Sequence, residues 1–324
     1  MKDSKLLVSA LALAGALAGS SALHAQDFPS KPIRTVVAFA GGTPDATARM
    51  LGSLISASVG QPVVVEARPG AGGLVALQAV KQSPPDGYTL LLVDSGTWAI
   101  QPVLQPGSLD TLKDLIPLGQ VITTALFLVV SDRVPARSVQ EFIALAKSKP
   151  GALSYGSAGN GTLHHLFMET FKASAGINVL HVPFSKGVSE ALPALLGGTT
   201  DALITSWPAI EPHAKTGRAH VLLASTQERW RLAPHIPALG DMNMKGENFS
   251  GDMGYFLLAG TPRPVVEKLA ATIAKAVISA EFAERAKAYG FIPLFRGPEE
   301  FAEMIKSDVA RFTRAASTAG VKVQ

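Results

Sequence analysis

Two short loops of small residues, 41–45 and 156–162, are the segments of this sequence best suited to binding chemistry. Each lies between an apolar run typical of a strand and an amphipathic run typical of a helix. A helix N-terminus that follows small residues presents unpaired backbone N–H groups, and these bind an anion without a charged side chain. The sequence therefore predicts two opposed loops that hold a carboxylate.

Both loops supply candidate ligand contacts. In the first, glycine lets the backbone approach a ligand closely, and we expect contacts from Gly41, Gly42 and Thr43. Asp45 in the same loop is typical of a helix cap, with direct ligand contact as the alternative. The second loop adds hydroxyl and amide donors, and its candidate contacts are Ser157, Ala158, Asn160, Gly161 and Thr162. A tight strand-to-helix turn without a ligand is the alternative for this loop.

Two further strand ends offer hydroxyl groups at a predicted helix start. Ser95 and Thr97 follow one apolar strand, and Thr205 and Ser206 follow another. Ligands of open α/β sheets bind outside the carboxyl ends of strands, so these positions extend the predicted site. Ordinary helix capping is the alternative. Trp207 either covers an apolar face of the ligand or packs in the core.

The elements that must position these residues alternate between strand and helix periodicity. Strands are predicted at 33–40, 63–67, 88–93, 126–131, 153–156, 179–183, 201–205, 219–224 and from 256. Helices are predicted at 46–58, 74–82, 139–149, 162–175, 190–196, 208–216, 264–280, 282–289 and 298–319. This order predicts parallel sheets covered on both faces. No flexible linker divides the chain, which indicates that it crosses between two lobes more than once.

Composition narrows the class of protein. The 324 residues exceed the usual size of one domain, so two lobes are expected. The net charge of +4 comes without clustered Lys or Arg, which argues against a nucleic-acid partner. There is no cysteine, so the core forms without disulfides and no lipidated cysteine anchors the chain.

The first 25 residues have the pattern of an export signal. Lys2 and Lys5 precede an apolar run at 6–18 and then small residues. We expect cleavage after Ala25, with Ala22 as the alternative. No later run approaches transmembrane length, so we expect a freely diffusing periplasmic protein.

Catalytic motifs are weak in this sequence. A serine hydrolase elbow around Ser157 would need glycine where Tyr155 stands, and neither a dinucleotide fingerprint nor a Walker motif occurs. His164, His165 and Glu169 could hold a metal, or be ordinary helix residues. We expect no catalytic residue, no metal and no cofactor.

Five ordered motifs resemble a known family. They are FPSKPIRTVV at 28–37, GQPVVVEARPGAGG at 60–73, PDGYTLL at 85–91, YGSAGNGT at 155–162 and HVP at 181–183. Together they are similar to the substrate-binding receptors of tripartite tricarboxylate transporters, the Bug-type periplasmic proteins. The resemblance implies a two-lobed, hinged α/β architecture of the Venus-flytrap type, each lobe a mostly parallel sheet flanked by helices. The implied division is a signal peptide at 1–25, lobe 1 at 26–125 and 251–324, and lobe 2 at 126–250.

The family also implies a function. Related receptors grip a carboxylate with these loops and ordered waters, and the chain would then deliver a small organic carboxylate to integral-membrane permease subunits as a monomer. The alternatives are a ligand sensor for a membrane signalling kinase and, less favoured, a metal-dependent or serine hydrolase.

Departures from the family pattern bear on the ligand. The first loop is one residue short, with Pro44 inside it, so its amides are expected to point differently. Thr205 and Ser206 stand where relatives often carry an aspartate and an asparagine suited to an amino group, which argues against an ammonium-bearing ligand. The segment 181–187 holds one extra residue, and the identity of the ligand does not follow from the sequence.

Overall fold

The computed structural model describes residues 28–184, 186–244 and 246–321. The predicted signal peptide lies outside the described residues. The strands, in chain order, are β1 (Ile33–Val37), β2 (Val63–Ala67), β3 (Thr89–Asp94), β4 (Leu115–Thr123), β5 (Leu126–Ser131), β6 (Ser154–Ser157), β7 (Leu180–Pro183), β8 (Ala202–Ser206), β9 (Ala219–Ala224), β10 (Met253–Leu258) and β11 (Ile292–Arg296).

The helices alternate with these strands along most of the chain. They are α1 (Gly42–Val59), α2 (Leu74–Lys81), α3 (Gln101–Leu104), α4 (Thr111–Asp114), α5 (Val139–Ser148), α6 (Leu163–Ala175), α7 (Val188–Gly197), α8 (Trp207–Lys215), α9 (Arg263–Val277), α10 (Ala280–Ala288) and α11 (Pro298–Thr318). None of the helices in the described part of the chain combines the length and the apolar character that a membrane span needs.

The strands form two sheets, and the chain passes between them directly. The first has the order β11-β4-β10-β3-β1-β2 and the second β7-β6-β8-β5-β9. Thr124 and Ala125 connect β4 of the first sheet to β5 of the second, and β10 returns to the first sheet. The first sheet is thus built from both ends of the described chain and the second from its middle.

Both sheets are mixed rather than mostly parallel. β1 pairs in parallel with β2 and β3, and β6 with β7 and β8, where helices connect the strands. The pairings of β10 with β3 and β4, and of β5 with β8 and β9, are antiparallel. The reason is the connection: β4, β5 and β10 carry the chain between sheets without the helical crossover that parallel neighbours require.

Helix α1 illustrates how the sequence sets an element that reaches the site. Ala48, Leu51 and Ile55 recur at helical spacing and are fully buried against the first sheet. Gly60 ends the helix in the left-handed conformation, φ 72°, and its N–H donates to the carbonyl of Ser56. The buried stripe therefore fixes the helix so that its other end, at Gly42, lies at the carboxyl end of β1.

A shared core joins the two sheets. Val36 and Leu91 of the first sheet belong to the same buried cluster as Leu128 and Ile204 of the second. Phe312 of α11 belongs to it as well. Separate clusters lie beneath α1 and α9 on the first sheet, and beneath α7 and α8 on the second. The two lobes are therefore packed on a common interior beside the cleft.

Candidate functional site

A cavity of about 180 Å³ lies between the two sheets, at the carboxyl ends of β1, β3 and β8. Its lining residues are Phe39, Ala40, Gly41, Gly42, Thr43, Pro44, Asp94, Thr124, Leu126, Ala158, Leu163, His164, Lys186, Gly187, Val188, Ser189, Ser206, Ala209, Gly251 and Met253. These come from both sheets and from the two chain crossings. A molecule held here would contact both lobes at once.

The first predicted loop forms one wall of the cavity. Gly41, Gly42 and Thr43 line it, and α1 begins there without a side-chain cap. Gly41 and Gly42 have φ of 72° and 67°, a conformation that favours glycine. A Cβ added to Gly42 would lie 4.0 Å from Pro44 Cδ, and a Cβ added to Gly41 would meet no atom within 4 Å beyond its chain neighbours. The start of α1 is thus open to a ligand.

Asp45 does not cap α1, contrary to the interpretation favoured from the sequence. The helix begins at Gly42 rather than at residue 46, which places Asp45 inside its first turn. Its carboxylate accepts two hydrogen bonds from Arg49, at 2.9 and 3.0 Å. Asp45 is absent from the cavity lining and borders an adjoining surface depression with Thr43 and Arg49.

The opposite wall is made by helix starts on the second sheet. Helix α7 begins after Gly187 and α8 after Ser206, and neither has a side-chain cap. The first N–H groups of a helix have no partner within it, and the helix dipole adds positive potential there. Within the described residues, α1, α7 and α8 therefore direct backbone donors at the same space from two lobes, while Pro44 in the first turn of α1 and Pro208 in that of α8 contribute no N–H.

Most polar side chains of the second predicted loop make hydrogen bonds within the protein. Ser157 Oγ lies 2.7 Å from His181 Nε2 and accepts from the N–H of Gly159 at 3.1 Å. Thr162 caps α6: its hydroxyl accepts from the N–H of His165 at 3.4 Å and donates to the carbonyl of Gly159 at 2.8 Å. Ala158 is the residue of this loop that lines the cavity.

Asn160 and Gly161 face a different space. They line a second cavity of about 290 Å³, together with Gln101, His165 and Glu169. His165 Nδ1 accepts from the N–H of Gly161 at 3.2 Å, which fixes the edge of this cavity. The two predicted loops are therefore not symmetric: the first opens on the cleft, and the second divides between two cavities.

The hydroxyls at the other strand ends are buried rather than exposed to the cleft. Ser95 Oγ donates to the carbonyl of Ser250 at 3.0 Å, and Thr97 Oγ1 to that of Gly72 at 3.1 Å. Thr205 is buried on β8, and its hydroxyl has no hydrogen-bond partner in the described part of the chain. The neighbouring Ser206 lines the cavity instead. Trp207 packs on Phe127 in the core of the second lobe, with ring centroids 5.3 Å apart.

Asp94, His164 and Lys186 also line the cavity and were not among the predicted contacts. Burial raises the pKa of Asp94 and lowers the pKa of His164 to about 4, so this imidazole is neutral at pH 7. Asp94 is the last residue of an apolar strand, and this position could have indicated that it lines the site. Lys186 lies just before α7. The glycine that follows it, at the start of a helix, is the sequence signal that could have indicated this position.

The side chains named for metal or hydrolase chemistry make local contacts in the structure. Glu169 accepts from Tyr155 Oη at 2.6 Å and from Lys172 Nζ at 2.7 Å, and the His165 ring stacks on His181 at 4.2 Å. No group of three metal-binding side chains assembles within residues 28–184, 186–244 and 246–321. The Ser157 side chain, which pairs with His181 as a nucleophile would with a base, is fully buried.

A family model and two sequence relatives match most of the chain. The model described as "Tripartite tricarboxylate transporter family receptor" matches residues 47–320. A UPF0065 protein of Cupriavidus necator is 32% identical over 306 residues, which is 94% of this chain and 92% of that protein. Protein BugT of Bordetella pertussis is 30% identical over 324 residues, covering 98% of each chain.

Solved structures agree with these relatives. Rpa4515 of Rhodopseudomonas palustris, solved with adipate, has a TM-score of 0.85 and 27% identity, covering 90% of this chain and 98% of that one. MatC of the same organism, solved with bound malate, has a TM-score of 0.81 and 26% identity, covering 89% and 99%. The predicted fold class, two α/β lobes of the periplasmic-binding-protein type, is confirmed.

Proposed function

The chain belongs to the tripartite tricarboxylate transporter receptor family, and from that premise we propose that it captures a small carboxylate between its lobes in the periplasm and delivers it to a membrane permease. The observation that carries this proposal is the convergence of α1, α7 and α8, from both sheets, on one cavity. Their uncapped first turns bind an anion through backbone N–H groups, as helix N-termini do elsewhere.

The size of the cavity supports a small ligand. At about 180 Å³ it is smaller than the range of roughly 300–1,000 Å³ typical of drug-sized ligands. The relatives solved with adipate and malate hold carboxylic acids of this scale. We therefore propose that the ligand belongs to the dicarboxylates of four to six carbons.

Delivery to a permease is the second part of the proposal. Closure of two lobes around a ligand changes the surface that they present together, and a partner can bind the closed form selectively. The integral-membrane permease of a tripartite tricarboxylate transporter is the partner that the family relationship supports. A periplasmic location follows from the export signal predicted at 1–25.

Uptake in a deletion strain tests delivery against the sensor alternative. Cells that lack the gene should take up radiolabelled malate, succinate or adipate more slowly than the parent, and a plasmid copy should restore the rate. Normal uptake of all three acids contradicts delivery of this class. Normal uptake with a lost transcriptional response to one of them supports a sensor for a membrane kinase.

A further inference from the structure

Asp94 is the acidic side chain among the residues that line the cleft cavity in the described part of the chain. It is the last residue of β3, deep in the protein, and it remains partly accessible because the cavity opens onto it. Its carboxyl group is therefore one of the polar groups that a molecule in the cavity would meet.

One oxygen of this carboxyl is already used. Asp94 Oδ1 accepts from the backbone N–H of Thr97 at 3.1 Å and lies 3.2 Å from Thr97 Oγ1. Thr97 is itself fixed, because its hydroxyl donates to the carbonyl of Gly72. Gly73 packs so closely against it that a Cβ there would lie only 2.3 Å from Thr97 Oγ1. The contacts fix the orientation of Asp94, and its Oδ2 makes no hydrogen bond to a described residue.

An acidic group in this place conflicts with a ligand that is only a carboxylate. The helix starts attract a carboxylate into the cavity, whereas the ionised form of Asp94 repels it. Burial raises the pKa of Asp94, because the charged form loses contact with water there. Lys186, the cationic side chain of the lining, is exposed and forms no ion pair with Asp94. A donor on the ligand itself would satisfy Oδ2.

We propose that Asp94 determines specificity by accepting a hydrogen bond from a hydroxyl or ammonium group on the bound acid. An ammonium-bearing ligand, against which Thr205 and Ser206 argue, would find at Asp94 the carboxylate that those two positions lack. The inference rests on the proposed function and deepens it: the ligand is a hydroxy- or amino-substituted dicarboxylate rather than an unsubstituted one. The acid end binds at the helix starts, and the substituent binds at the end of β3.

The variant Asp94→Asn tests this without changing the shape of the site. The asparagine oxygen still accepts from the Thr97 N–H, so its amide NH₂ replaces Oδ2 at the cavity and turns an acceptor into a donor. Calorimetric titrations would use succinate, malate and aspartate, and the six-carbon set adipate, 2-hydroxyadipate and 2-aminoadipate. Comparison of the hydroxy and amino members identifies the donor.

We expect the parent protein to bind a substituted acid about tenfold more tightly, or better, than the unsubstituted acid of the same length. Asp94→Asn should abolish this preference. The matched control is Asp86→Asn, which removes the same charge from a carboxylate that also accepts a backbone N–H, from Tyr88, and that pairs with Lys31 away from the cavity and the helix starts; it should keep the preference. Melting temperatures report whether each variant is folded.

The outcomes separate this inference from the proposed function. If acids bind but the parent shows no preference, or if Asp94→Asn keeps the preference, Asp94 only caps the turn that follows β3 and the inference is overturned. If no acid of either set binds the folded parent, the proposed function for this class of acid is contradicted and the inference with it.

Discussion

At the scale of single residues, the second loop depends on two stacked histidines. His165 and His181 have ring centroids 4.2 Å apart, and His181 also stacks on Tyr155 at 4.8 Å. His165 accepts from the N–H of Gly161, and His181 bonds Ser157. The pair thus connects both ends of the loop to β7 and α6. Its neutral form matches these contacts, because a protonated His165 could not accept from the Gly161 N–H.

The histidine pair predicts a pH dependence of stability. Burial lowers the pKa of His181 from 6.5 to about 4, with a further lowering from His165. The unfolded chain therefore takes up a proton at higher pH than the folded one. The free energy of unfolding should fall as pH decreases from 6.5 to 4, and be insensitive to this group above 6.5.

Chemical denaturation of His181→Phe across this range checks the prediction. Phenylalanine keeps a ring for stacking but cannot be protonated, so its unfolding free energy should fall less steeply than that of the parent. Asp308, whose pKa burial raises to about 6, has a slope of the opposite sign, but it is present in both proteins and cancels in the difference. Parallel curves for the two proteins would refute the assignment.

The sequence predicts those site residues that take part through their backbone. Gly41 and Gly42 precede a helix and follow an apolar strand, a pattern that places their backbone at a strand end. Whether a hydroxyl faces the cleft or the interior depends on tertiary contacts. Ser95 reaches Ser250, 155 positions further along the chain, and no local pattern predicts such a contact.

At the scale of elements, the amide donors of α7 can be tested one at a time. Val188 is the first helical residue after the uncapped Gly187, and it lines the cavity. Proline fits the first position of a helix and lacks the N–H group. Val188→Pro should therefore remove one donor while α7 still forms.

The expected result is weaker binding with an unchanged fold. Loss of a hydrogen bond to a charged group costs roughly 1.5–3 kcal/mol, so we expect Kd for a bound dicarboxylate to rise about tenfold or more by calorimetry. Ala280→Pro, at the exposed first position of α10, is the matched control and should leave Kd unchanged. Equal affinities in all three proteins would remove α7 from the site.

Periodicity missed two strands, β4 and β11, which lie in the antiparallel half of the first sheet. β4 contains Pro117 and Gly119, and β11 contains Pro293, residues that interrupt a strand signal. Both are held by antiparallel pairing, β4 with β10 and β11 with β4, between segments distant in the chain. β2 at Val63–Ala67 matches the prediction residue for residue, because its three consecutive valines favour a strand and neither proline nor glycine interrupts it.

At the scale of the whole molecule, the C-terminal helix joins the lobes. Phe312 of α11 stacks on Phe249, with centroids 5.9 Å apart, and Phe249 packs on Phe167 of α6 at 5.6 Å. This aromatic series connects the end of the chain to the second lobe.

The resemblance to the tripartite tricarboxylate transporter receptors, drawn from five sequence motifs, is confirmed by the family match and by relatives that cover nearly the full chain. The ligand was not predictable, since backbone amides specify a carboxylate and little else.

The central claim is that one small carboxylate binds reversibly in the cleft cavity, and filling that cavity tests it most directly. Ala158 lines the cavity, and Ala158→Phe should place a ring in much of its 180 Å³. Ala288→Phe, at the exposed end of α10, is the control. Calorimetric titration of the folded proteins with malate, 2-hydroxyadipate and adipate should give one site per chain for the parent and Ala288→Phe, and no measurable binding for Ala158→Phe. Unchanged binding by Ala158→Phe, or no binding by the parent, would contradict the claim.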